Sequence, residues 1–151
     1  MKIEAELKNT KPMPPRQRAT LNILFTASWL ECMISRSLRP HKLTSPQYNI
    51  LRILNGSYPK GLSILDIKSR MLDRSSNVSR LVEKLRLRKM VERIPDEADR
   101  RMVVVSISEL GKKTLQEIDL PTTKSDKKDP GNNMTEEELQ TLGDLLDKFR
   151  G

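Results

Sequence analysis

The spacing of apolar residues changes period once in the middle of the chain, at Lys89, and this constrains the fold more than any other feature. In Asp73-Arg-Ser-Ser-Asn-Val-Ser-Arg-Leu-Val-Glu-Lys-Leu-Arg-Leu-Arg-Lys89, the residues Val78, Leu81, Val82 and Leu85 recur at three- and four-residue steps. That spacing lays them along one face of a helix. Downstream, Val91-Glu-Arg-Ile94 alternates and Met102-Val-Val-Val-Ser-Ile107 is a β-branched run, so the period becomes two. The polar Pro95-Asp-Glu-Ala-Asp-Arg-Arg101 between them is turn-forming, and the pair reads as a hairpin.

The other face of the predicted helix carries Ser76, Ser79, Arg80, Glu83 and Lys84, and its first turn holds Ser75, Ser76 and Asn77. Short hydroxyl and amide side chains allow a close approach to base edges, and Arg80 reaches a guanine or a phosphate. A helix entering a DNA major groove by its N-terminal end has this composition. A solvated amphipathic helix has it equally, so the flanking sequence must decide.

Upstream, Thr44-Ser-Pro-Gln47 reads as a capping box opening a helix over Tyr48, Ile50, Leu51, Ile53 and Leu54. Asn55 to Gly61 reads as a loop. Ser63 and Asp66 cap a short helix with Ile64, Leu65, Ile67, Met71 and Leu72 apolar, and only Leu72 to Arg74 separate it from the next one. Two short helices across a tight turn form a helix-turn-helix, and the hairpin after it is a wing. Arg100 and Arg101 at the wing tip suit an adjacent minor groove, where the potential is most negative. Asp99 can pair with Arg101 and leave Arg100 free, although the two arginines can exchange roles. The expected DNA-facing set is Arg74, Ser75, Ser76, Asn77, Ser79, Arg80, Lys84, Asp99, Arg100 and Arg101. Lys84, Arg86 and Arg88 are expected at phosphates or in solvent rather than at bases.

Residues 1–15 read as a tail ending in Pro12-Met-Pro-Pro15, with room for one helical turn. Residues 16–42 hold a helix whose apolar stripe (Leu21, Leu24, Phe25, Trp29, Cys32) is widened by Ile23, Leu30, Met33 and Ile34. Such girth asks for cover on several sides, which a partner subunit would supply. After the winged helix-turn-helix of residues 43–107, Ser108-Glu-Leu-Gly caps a helix to about Asp119, and residues 121–133 form a polar linker. Thr135 with Glu138 makes a capping box for a last helix bearing Leu139, Leu142, Leu145, Leu146 and Phe149 on one face. Residues 108–151 are therefore expected to join Leu21, Leu24, Phe25 and Trp29 in dimerisation. The fold class is mainly α with a small β-hairpin wing.

Charge follows this division. Residues 60–101 carry twelve Lys/Arg against seven Asp/Glu, whereas residues 102–151 carry seven against ten. The basic excess thus falls on and before the candidate DNA-binding helix, as a polyanionic partner requires. One histidine and one cysteine leave no zinc set, disulfide or cofactor expected. No run is apolar enough to cross a membrane, and a cytoplasmic location without membrane partners is expected. Catalysis is not expected, since there is one histidine, one cysteine, no Gly-rich phosphate loop and no carboxylates clustered with a base. Cys32, on an apolar stripe without a cationic neighbour, is expected to be a buried structural thiol. His41 is expected at the surface or a cap.

Leu43-Thr44, Gln47, Ile50-Leu51, Leu54, Ser75 to Leu85, Val91-Glu-Arg93, Asp96, Asp99-Arg-Arg101 and Ile107-Ser-Glu-Leu-Gly111 together resemble the MarR (multiple-antibiotic-resistance regulator) family of winged-helix transcription factors. The resemblance covers roughly residues 43–111. It implies a homodimer interleaving its terminal helices on double-stranded DNA. The recognition helix would lie in the major groove and the wing in the minor groove of a near-palindromic operator. It also implies a small-molecule effector, of unknown identity here. Three features depart from the family pattern. Lys89 stands where a glycine usually closes the recognition helix; the linker is unusually polar; and few aromatic residues (Phe25, Trp29, Tyr48, Tyr58) are available to line a phenol pocket. The alternative on the same fold is a protein-interaction module or anti-repressor without operator specificity.

Overall fold

Residues 2–96, 99, 102–118 and 130–151 are described by the computed structural model of the chain. In order they form a helical turn α1 (Ile3–Glu6), a long helix α2 (Pro15–Leu38), a 3-10 turn (Arg39–His41), and helices α3 (Ser45–Ser57), α4 (Ile64–Arg70) and α5 (Val78–Leu87). Strands β1 (Val91–Pro95) and β2 (Val103–Ile107) and helices α6 (Glu109–Glu117) and α7 (Glu136–Arg150) follow. This is the expected class, helical with one antiparallel hairpin. The chain divides into two units, residues 34–118 and residues 1–33 with 119–151.

In the first unit α3 is the hub, packing on α4, α5, α6 and β2. Its Thr44–Gln47 capping box forms as the sequence indicates, and Gln47 is buried within it. Ile50, Leu51 and Leu54 meet Ile67 of α4 and Val78, Val82 and Leu85 of α5 in the core, all nearly or fully buried. Helix α3 runs to Ser57, past the expected loop start at Asn55, because the Ser57 hydroxyl donates back to the Ile53 carbonyl and Tyr58 N–H to that of Asn55. Leu65 and Leu72, counted among the apolar residues of the α4 segment, are exposed, Leu72 at 91%.

Among the described residues three non-glycine residues have positive φ, and each is a lysine: Lys8 (51°), Lys42 (53°) and Lys89 (58°). All three end a helical segment with the same pair of bonds. Lys89 N–H donates to the Arg86 carbonyl (2.8 Å) and Met90 N–H to that of Leu85 (3.0 Å); Lys42 and Leu43 repeat the pattern on Arg39 (3.0 Å) and Leu38 (3.3 Å). These are Schellman closures, which need a left-handed residue and favour glycine. In two of them the residues joined by the longer-range bond are buried on both sides, Leu85 with Met90 and Leu38 with Leu43.

The backbone leaving Lys89 is then seated by α6. The Ser108 hydroxyl donates to the Lys89 carbonyl (2.6 Å) and accepts from Gly111 N–H (3.1 Å), while Ser108 N–H donates to the Met90 carbonyl (3.1 Å). A Cβ on Gly111 would lie 2.3 Å from that Met90 oxygen. The strands pair from Val91↔Ile107 to Pro95↔Val103. A further antiparallel bridge joins Leu62 to Val105 on the outer edge of β2, with bonds of 2.9 and 2.8 Å. Gly61 permits that approach, since its Cβ would fall 2.5 Å from a Val104 methyl. β2 has neighbours on both edges and is buried on both faces from Val104 to Ile107, which accounts for its β-branched run interrupted only by Ser106.

In the second unit α1 is held to α2 by Glu4, whose carboxylate accepts from Arg18 Nε at 2.6 Å. That guanidinium keeps the Glu4 carboxyl below its ordinary pKa. Residues from both α2 and α7 line an apolar groove of about 670 Å³, among them Ile23, Leu30, Leu142, Leu146 and Phe149. Leu24, Phe25 and Trp29 on α2, and Leu139, Leu142, Leu145 and Phe149 on α7, are exposed; Leu21 and Leu146 are half-buried. Cys32 is also exposed, contrary to the expectation of a buried thiol, because none of the described residues covers the α2 stripe at that point. The expected linker lies largely outside the described residues.

Two substitutions test the closure of α5. Lys89→Gly should raise stability by about 1 kcal/mol by relieving the left-handed backbone, whereas Lys84→Gly, inside α5, should lower it by about as much. Chemical denaturation of both variants checks this. Gly111→Ala should cost about 1–3 kcal/mol, because backbone rather than a movable side chain stands in the way. A melting temperature equal to that of the parent would contradict the seating of α6 on Met90.

Candidate DNA-binding surface

Helix α5 shows its first polar side chains after a built turn. Asp73 accepts from the Ser75 backbone N–H (2.9 Å) and hydroxyl (2.6 Å) and from the Ser76 hydroxyl (2.9 Å). The Ser75 hydroxyl, then its N–H, then Ser76 hold the Asp73 carboxyl below its ordinary pKa. Asn77 is the N-cap, its Oδ1 accepting from Arg80 N–H at 3.1 Å. Ser75, Ser76 and Asn77 therefore precede the helix rather than forming its first turn, since short polar side chains bind nearby backbone more readily than they sustain helix. Both serine protons are committed to Asp73, so the two hydroxyls offer lone pairs outward.

Arg74, Ser75, Asn77, Ser79, Arg80 and Lys84 are exposed and Ser76 is half-buried. Val78, Val82 and Leu85 on the opposite side are buried, which fixes which face of α5 meets solvent. The Arg74, Arg80 and Lys84 side chains have no hydrogen-bond or ion-pair partner among the described residues. One cation missed by sequence reasoning lies beside them. Lys68, together with Leu65 and Ser69 of α4, shares a shallow hollow with Arg74, and only its charge could have marked it. Leu72, whose N–H donates to Asn49 Oδ1 at 3.0 Å, is held outward at the start of the same turn.

The remaining cations of α5 are used internally. Arg86 makes a two-pronged pair with Glu83 (2.7 and 3.0 Å), and Arg93 of β1 approaches the same carboxylate at 3.8 Å. Arg88 departs from the sequence expectation of phosphate or solvent: its two terminal nitrogens donate to the carbonyls of Lys42 (2.7 Å) and His41 (2.8 Å). His41 thus contributes its backbone, at the end of the 3-10 turn.

At the hairpin tip Asp99 N–H donates to Asp96 Oδ1 (3.0 Å), Met102 N–H to the Asp99 carbonyl (2.8 Å) and Asp96 N–H to the Met102 carbonyl (2.9 Å). Asp99 is exposed. Arg100 and Arg101 lie outside the described residues, so the expected Asp99–Arg101 pair does too.

No curated protein matches the sequence significantly. The sequence model of the MarR family matches residues 41–102. Among solved structures, reduced MarR from E. coli is 20% identical with a TM-score of 0.67, over 93% of this chain and 98% of that one. BpsR of Bordetella bronchiseptica is 20% identical with a TM-score of 0.72, over 93% and 98%. MepR of S. aureus, in complex with DNA, is 20% identical with a TM-score of 0.71, over 86% and 92%. The family match runs from the end of the 3-10 turn through β1, the segment that carries the Asp73 turn and the exposed cations of α5; over these residues the chain is similar to the MarR family, and it has the fold of the MarR structures.

Proposed function

We propose that this protein is a sequence-specific transcription regulator. It binds a near-palindromic operator as a homodimer, with α5 in the major groove and the hairpin tip in the minor groove. The observation that carries the reading is the partition of cations around α5. Arg74, Arg80 and Lys84 face solvent without partners among the described residues, whereas Arg86 and Arg88 are taken up within the chain. Unpaired cations on one exposed face are what phosphate and base contacts require. In this reading Ser75 and Ser76, with their protons on Asp73, accept from the exocyclic amino groups of adenine or cytosine rather than donating to phosphate. MepR, which shares the fold, is solved on DNA.

Dimerisation is supported by the uncovered apolar faces. A monomer rarely exposes an apolar stripe as long as that of Leu24, Phe25 and Trp29 on α2 beside that of Leu139, Leu142, Leu145 and Phe149 on α7. A second copy covers both. Response to a small-molecule effector joins the reading because DNA binding by BpsR is regulated by 6-hydroxynicotinic acid.

Arg80→Ala should weaken operator binding by about 1–3 kcal/mol and relax preference at one base position per half-site. Arg100→Ala, at the wing tip, should weaken all sequences alike and flatten the slope of log K against log salt by about 1 per half-site. Titrations on parent and single-base-changed operators at several salt concentrations separate the two. A base-preference change with Arg100→Ala but not Arg80→Ala would reverse the roles of helix and wing. Removal of residues 134–151 should yield aggregates or monomers without operator affinity, read by light scattering after size exclusion. A soluble, dimeric, DNA-binding truncation would remove α7 from the interface.

A further inference from the structure

We infer that Arg88 is a positioning residue: by clamping the end of the recognition helix to the end of α2, it sets the separation of half-sites that the protein accepts. The inference rests on the homodimer reading above. Arg88 is half-buried, and its guanidinium spans 46 and 47 residues of sequence to reach the carbonyls of Lys42 (2.7 Å) and His41 (2.8 Å). These carbonyls belong to the joint where α2 ends, formed by the 3-10 turn and the left-handed Lys42. In an extended chain successive carbonyls point to opposite sides, so two of them meet one guanidinium only because the chain turns here.

Arg88 itself is the C-cap of α5, directly before the left-handed Lys89. The clamp therefore joins two Schellman closures, the one that ends α2 and its 3-10 turn and the one that ends α5. A planar fork with charge-assisted bonds to two adjacent acceptors fixes direction as well as distance. A lysine at this place would hold the charge without the fork. The main contacts of α5 run to α3, α4 and β1, and the Arg88 bonds tie its C-terminal end to the backbone leaving α2. If two copies pair through α2, the joint decides how far each recognition helix stands from its twin. One base pair of added spacing turns a half-site by about a tenth of a helical turn, which a rigid joint rejects and a loose one follows.

The probe is a near-palindromic duplex selected from random DNA by the parent protein. Versions with one base pair added or removed between half-sites, and a duplex with a single half-site, complete the set. The parent should lose about tenfold or more in affinity on either altered spacing. Arg88→Ala should bind all three spacings within about threefold of one another and leave single-half-site affinity unchanged. Arg88→Lys should follow Arg88→Ala, and it alone reads the result if Arg88→Ala does not fold. Either variant retaining the parent's spacing profile would overturn the inference. So would an equal loss on the single half-site that Arg88→Lys restores, which would make Arg88 a phosphate contact. A parent indifferent to spacing would sink the homodimer reading, and this inference with it.

Discussion

The left-handed turn at Lys89 is the constraint on which the geometry of the candidate DNA-binding surface depends. A helix ends with carbonyls that need partners, and the two Schellman bonds satisfy two of them while reversing the chain. The reversed backbone runs straight into β1, so the angle between α5 and the hairpin is settled over two residues, Lys89 and Met90. Ser108 and Gly111 then hold those residues from the far side of the hairpin, the serine through two hydrogen bonds and the glycine through the absence of a side chain. A glycine at position 89 would adopt this turn with less strain. The chain instead keeps lysine there and retains the conformation through buried Leu85 and Met90 and the bonds from α6.

The use of charge follows from the same architecture. A basic segment does not by itself make a binding face, because each cation can be spent inside the molecule. Glu83 takes up Arg86 and draws Arg93 toward the same point, linking α5 with β1, and the Arg86 guanidinium holds the Glu83 carboxyl below its ordinary pKa. Both partners are well exposed, so the pair orients side chains more than it stabilises the fold. Arg88 is spent on the α2 joint. What remains unpaired among the described residues, on the helix and the preceding turn, is a short row, Arg74, Arg80 and Lys84, rather than the whole basic run.

Local signals were legible in the sequence where the physics is local. The boxes at Thr44–Gln47 and Thr135–Glu138, the caps at Ser63 and Ser108, and the change of period at Lys89 each involve residues a few positions apart, and all formed. The unusual backbone at Lys89 was visible because a family pattern marked the place. Tertiary partners were not legible. Nothing near Arg88 announces carbonyls more than forty positions upstream, and Leu62 joins the hairpin through a single bridge too short to show a period. The Asp73-Arg-Ser-Ser spacing did carry an Asx-turn signal, which the helical periodicity of the following residues masked. Apolar spacing also overstated burial at Leu65 and Leu72, and at Cys32, where the stripe is real but the described residues offer no cover.

The central claim is that two copies place α5 in successive major grooves, and methylation interference on a selected operator tests it most directly. Dimethyl sulfate marks guanine N7 in the major groove and adenine N3 in the minor groove, so the two elements are read separately in one experiment. The account predicts two clusters of major-groove interference related by a dyad and about one helical turn apart, each flanked by minor-groove positions. A single cluster without a symmetry mate, or interference confined to the minor groove, would contradict it.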